Sequence, residues 1–136
     1  MTSKVYIYKR VVQSKLFIDA HYSEAIDLDN IADEAYFSKF HFIRLFKSIY
    51  GKTPHQYLIS VRVEQSKLLL QKGLTVTQSC TEVGFESLTS FTALFKKYVR
   101  LSPSEYQRIY LAREEQIRTA PLEFIPACFA SQYGWN

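Results

Sequence analysis

The sequence predicts an all-α protein, and three observations carry that expectation. Apolar residues recur at helical spacing almost throughout, while strand alternation is nearly absent. Three capping boxes, "TPHQ" at 53–56, "TVTQ" at 75–78 and "SPSE" at 102–105, announce helix starts. The segment "FSKFHFIRLFKSIYGKTPHQY" at 37–57 also returns, altered, as "ESLTSFTALFKKYVRLSPSEY" at 86–106.

The first helix is expected from about Val5 to Tyr22, with Val12, Leu16 and Ala20 on one stripe beside Val11 and Ile18. A short second helix, Leu28 to Ala35, follows Asp27 as N-cap, with Asp29 in its first turn. The third begins after Ser38 and ends near Tyr50, where Gly51 supplies the left-handed residue. Thr53, Pro54 and Gln56 open the fourth, which stops at Gly73. Thr75 with Gln78 opens the fifth, which ends near Val83 and Gly84. Ser87 opens the sixth, over 88–99, and Ser102, Pro103 and Glu105 open the seventh. Beyond Ala112 the periodicity weakens into an apolar segment with prolines at 121 and 126.

Placing 38–57 over 87–106 gives seven identities in twenty positions: Ser38/Ser87, Phe42/Phe91, Leu45/Leu94, Phe46/Phe95, Lys47/Lys96, Pro54/Pro103 and Tyr57/Tyr106. Phe42, Leu45 and Phe46 lie at i, i+3 and i+4 and form one buried face, as do Phe91, Leu94 and Phe95. Short helix, tight turn and longer helix are thus written twice. The expected fold is two helix-turn-helix subdomains joined by a long central helix, about seven helices in all. The boundaries are 1–52, 53–73 for the linking helix, 74–112, and 113–136 for an apolar tail. Positions that differ between the copies are Lys39, Phe40, Ile43 and Arg44 against Leu88, Thr89, Thr92 and Ala93. They lie opposite the apolar face, near each helix start, where a helix-turn-helix meets base edges in the major groove.

Charge agrees with that surface. Residues 1–37 hold four basic and six acidic side chains, 38–100 hold ten and three, and 101–136 hold three and four. The basic middle suits a polyanion, although a solvated charged face accounts for it too. Cys80 and Cys128 lack metal or disulfide spacing, and His21, His41 and His55 are scattered, so plain thiols and no metal are expected. Acid/base pairs, nucleophile elbows and glycine-rich phosphate loops are lacking; the expectation is no enzyme and no cofactor. No apolar run reaches bilayer length and "MTSKVYIYKR" has no signal-peptide core, so a cytoplasmic, non-membrane protein is expected.

The stretch "IDLDNIADEAYFSKFHFIRLFKSIYGKTPHQYLISVRVEQSKLLL", followed by "VGFESLTSFTALFKKYVRLSPSEY", resembles the DNA-binding domain of the AraC/XylS family of bacterial transcription regulators. The "FxxxFK" core, the "GxTPxxY" turn and the "VGFxSxxxFxxxFK" block occur in order, over roughly residues 5 to 110. The resemblance implies a recognition helix from each subdomain in successive major grooves on one face of double-stranded DNA. A nineteen-residue linking helix from Pro54 to Lys72 gives a rod of about 28 Å, against a groove repeat of about 34 Å.

On this reading Lys39, Phe40, Ile43 and Arg44 form one base-reading face, and Leu88, Thr89, Thr92 and Ala93 the other. Arg44 is suited to bidentate bonding with guanine, and Phe40 and Ile43 to thymine methyl groups; packing on a neighbouring helix is the alternative for the two apolar residues. Ser38, His41, Lys47, Ser87 and Lys96 are the expected phosphate contacts. Relatives often carry Arg where this chain has Ala93, so weaker base readout is expected from the second copy. Arg62 stands where the family usually has Arg and is expected to make a structural ion pair. Arg100 stands where the family usually has Gly, so the turn there is expected to differ in geometry.

The function implied is a sequence-specific transcription regulator, an activator, in a bacterial cytoplasm and associated with the nucleoid. The alternative is an interaction module of the same fold that docks on RNA polymerase. The tail from Arg113 to Asn136 is expected to pack on the domain or on a second copy, giving a monomer on DNA or a dimer through the tail. A small effector-independent regulator and a piece of a longer protein both remain open.

Overall fold

A computed structural model describes residues 2–26, 28, 39–120 and 126. Six helices are present among them: α1 Thr2–His21, α2 Lys39–Tyr50, α3 Pro54–Gln71, α4 Val76–Glu82, α5 Leu88–Val99 and α6 Pro103–Thr119. No strand occurs among the described residues. The short helix expected over 28–35 lies outside the described residues save for Leu28, as does the tail from 121 onward save for Pro126.

Local chemistry sets the helix starts. At α3 the Gln56 N–H donates to Thr53 Oγ1 at 3.2 Å while the Thr53 N–H donates to Gln56 Oε1 at 3.0 Å. The same reciprocal pair joins Thr75 to Gln78 at α4 and Ser102 to Glu105 at α6. Each box satisfies two backbone donors that a helix start leaves orphaned.

Two aromatic cores hang on the one central helix. Val11, Ile18, Phe42, Phe46 and Leu58 form the first, and Val63, Leu70, Cys80, Phe91 and Phe95 the second. Leu58 serves one and Val63 and Leu70 the other, so α3 is a shared spine as well as a spacer. Its 18 residues span about 27 Å. The repeated aromatic identities pack in the cores: Phe46 meets Tyr57 edge-on at 5.9 Å, and Phe95 meets Tyr106 edge-on at 5.6 Å. Both tyrosine hydroxyls are also engaged. Tyr57 donates to Asp19 of α1, and Tyr106 accepts from Gln71 Nε2 at 2.7 Å. Burial pushes the Cys80 thiol above its ordinary pKa, consistent with an inert core thiol; Cys128 lies outside the described residues.

Three local expectations change. The buried face of α1 is Val11, Ser14 and Ile18, whereas Val12 and Leu16 are 43% and 56% exposed and Ala20 faces solvent. Apolar residues occupy both sides of this helix, and only packing against α2 and α3 selects one. The turn at Arg100 keeps the usual geometry: φ is 73° there and 77° at Gly51, and the N–H donates to Lys96 as that of Gly51 does to Lys47. The surroundings impose a left-handed residue at the cost of its side-chain clash. Finally, α6 continues to Thr119, seven residues past Ala112. Its last turns are exposed and held by an Arg118–Glu115 ion pair and a Thr119 hydroxyl bond to the Glu115 carbonyl. Those contacts leave no apolar period to read.

The subdomains also touch directly. Arg62, midway along α3, donates from Nε to the Tyr22 carbonyl at 2.6 Å and from its terminal nitrogen to the Glu24 carbonyl at 2.9 Å. Its guanidinium lies 5.7 Å from the centroid of the Phe85 ring. The ion pair expected of Arg62 is therefore replaced by bonds to backbone carbonyls and a contact with the Phe85 ring. Burial lowers its pKa, opposed by the charge of Glu86.

Candidate nucleic-acid interface

The site is built from the outer faces of α2 and α5, the second helices of the two repeats. In α2, Phe42 and Phe46 point inward at 1% and 0% exposure. Residues one or two positions from these phenylalanines therefore point out: Phe40, His41, Arg44 and Lys47 are all exposed, and so is Lys39 at the helix start. Phe40 is the extreme case, with 78% of its surface open. In α5, Phe91 and Phe95 are fully buried, and Leu88, Thr89, Ala93 and Lys96 are exposed.

The two helices present equivalent positions. Phe40 corresponds to Thr89, Arg44 to Ala93 and Lys47 to Lys96, and all six are exposed. Ile43 and Thr92 also correspond, and both are half-buried; Ile43 packs on the first core. Those two residues line the flank of each face. Ser87 Oγ accepts the Ser90 N–H at 3.2 Å as the N-cap of α5, and its own hydroxyl proton stays available to a further acceptor. Ser38 lies outside the described residues.

Ser90 and Lys97 on α5, and Ser48 on α2, are exposed as well. None was singled out from the sequence, although stepping four residues on from Ala93 or Arg44 reaches Lys97 or Ser48. A groove of about 670 Å³ lies beside the subdomain junction, lined among others by Ser23, His55, Arg62, Phe85, Ser87 and Ser90. Among the described residues no three His, Cys, Asp or Glu side chains group so as to hold a metal, and no helix is long and apolar enough to cross a membrane.

A helix-turn-helix domain family model matches residues 31–109, more than half of the chain. The DNA-binding domain of AdpA, a global transcriptional factor solved in complex with a target DNA, superposes with a TM-score of 0.72 at 31% identity, over 78% of this chain and 96% of that one. The chain belongs to the AraC/XylS family of transcription regulators. Among relatives, an uncharacterized HTH-type transcriptional regulator in the cgkA 5′ region of Pseudoalteromonas carrageenovora is 33% identical over 108 residues, 79% of this chain. The regulator YdeC of Bacillus subtilis is 34% identical over 101 residues, 74% of this chain. The match spans 64% of the first relative and 35% of the second. The all-α, twofold helix-turn-helix architecture is that of the AraC DNA-binding domain.

Proposed function

We propose that the chain is a sequence-specific, double-stranded DNA-binding activator that inserts α2 and α5 into successive major grooves on one face of the duplex. One observation carries this reading. Two corresponding solvent-facing triads, Phe40/Arg44/Lys47 and Thr89/Ala93/Lys96, are displayed on helices held at either end of a spine about 27 Å long. The solved AdpA complex with its target DNA supports a duplex as the partner.

The two faces divide the work unequally. Arg44 offers a fork of donors for guanine O6 and N7, and Phe40 a surface for a thymine methyl, with Lys39 beside them. Ala93 and Leu88 donate no hydrogen bonds, so α5 depends on Thr89, Thr92, Ser87 and Lys96 and on duplex shape. Lys47, His41 and Ser38 supply phosphate contacts for the first half-site. Binding is as a monomer in a bacterial cytoplasm.

A random duplex pool tests this. Sites retained by the chain should share a strong first half-site motif and a weaker second one about one helical turn away. Retention of unrelated sequences with equal affinity would overturn the reading. The exposure of Phe40 favours a second possibility, docking of the same surface on RNA polymerase with little DNA affinity; polymerase capture without duplex binding would establish it.

A further inference from the structure

We infer that Arg62 is a positioning residue that locks the orientation of α5 relative to α2, so that the spacing between half-sites is read along with their sequence. The inference rests on the two-groove binding proposed above.

The contacts form a continuous path. Tyr22 and Glu24 belong to the segment leaving α1, and their carbonyls hold the Arg62 guanidinium. That guanidinium lies over Phe85 in the turn before α5, and the Phe85 ring packs on Phe91 of α5 with centroids 5.2 Å apart. A second contact closes the same junction. Gly84 adopts φ of +95°, and a Cβ built there would stand 2.7 Å from the Ser23 carbonyl oxygen. Only glycine lets the turn before α5 lie against the backbone of the first subdomain. The two helix-turn-helix units are therefore fastened to each other across the middle of α3 and not merely attached to its ends.

A fastened pair of helices cannot follow a moved half-site. Adding one base pair shifts the second half-site by about 3.4 Å and turns it by about 35°. With the protein rigid, the duplex alone must deform to restore contact. With the latch released, α5 can re-aim and recover part of it.

The experiment compares wild type, Arg62→Ala and Arg62→Lys on one selected duplex and on copies with a base pair added or removed between the half-sites. Circular dichroism confirms folding. Wild type should lose roughly tenfold or more in affinity on respacing, whereas Arg62→Ala should lose about threefold or less while binding the original duplex more weakly. Arg62→Lys keeps the charge but lacks the planar fork that reaches two carbonyls, so it should behave like the alanine variant and decides the matter if that variant fails to fold. An unchanged wild-type respacing ratio in the folded variants overturns the inference, and so does a wild type indifferent to spacing. Failure of wild type to retain any specific duplex refutes the DNA-binding proposal instead.

Discussion

Arg62 Nε donates to the carbonyl oxygen of Tyr22 at 2.6 Å, joining residues forty positions apart in the chain. The second donor, to Glu24, reaches an exposed carbonyl that water can satisfy, so most of the stabilisation comes from the first. Arg62→Ala is expected to cost about 1–2 kcal/mol. A urea titration would show this as a lower midpoint with unchanged slope; an unchanged midpoint would mean the bond contributes nothing net.

Arg44 and Lys96 are both exposed on the outer faces of their helices, yet their replacement should separate two kinds of DNA contact. Arg44→Ala is expected to remove ~1–3 kcal/mol of discrimination at one base pair and to spare binding to random duplex. Lys96→Ala should weaken both and reduce the salt slope by about one unit. Fluorescence anisotropy at several salt concentrations distinguishes them. Equal losses on random DNA in both variants would refute the assignment of roles.

Arg100 holds φ of 73° where Gly51 holds 77° in the first copy. Glycine at 100 removes the Cβ clash but gains freedom in the unfolded chain. The net effect of Arg100→Gly is expected to be a stabilisation of about 0.5–1 kcal/mol. Gly51→Ala should act in the opposite sense by a similar amount. Thermal unfolding of the two variants checks both signs, and a lower Tm for Arg100→Gly would show that the arginine side chain contributes more than its backbone costs.

Glu105 closes the capping box of α6, and hydrogen bonds from the Ser102 side chain and backbone hold its pKa below the ordinary glutamate value, helped by Lys96 and Arg108. A depressed folded-state pKa means that the ionised form stabilises the fold above the ordinary value. That contribution is lost as pH falls through the folded one. The Tm difference between wild type and Glu105→Gln should therefore hold steady from neutral pH down to about 4 and close below it. NMR titration of the carboxyl carbon gives the direct check, and titration at or above the ordinary value would contradict it.

Helix starts and both cores were legible in the amino-acid order because their causes are short-range. Thr53 with Gln56, Thr75 with Gln78 and Ser102 with Glu105 need only four consecutive residues to form a cap. Phe42 with Phe46 and Phe91 with Phe95 need only one helical turn to share a face. The corresponding outer positions, from Phe40 and Arg44 to Thr89 and Ala93, follow from the same period. Ile43 and Thr92 mark its limit, since a flanking position can be half-buried or open depending on the neighbour.

Contacts between distant residues settled the rest. Which side of α1 is buried depended on α2 and α3 arriving against Val11 and Ile18 and not against Val12 and Leu16. The acceptors of Arg62 are backbone carbonyls, which every residue possesses and no residue type advertises. The closeness of Gly84 to Ser23 needs both subdomains in place before it has meaning. Residue types specified what each helix would bury and display. The angle between the two displays came from tertiary packing, because that angle is a property of contacts some forty to sixty residues apart in the chain.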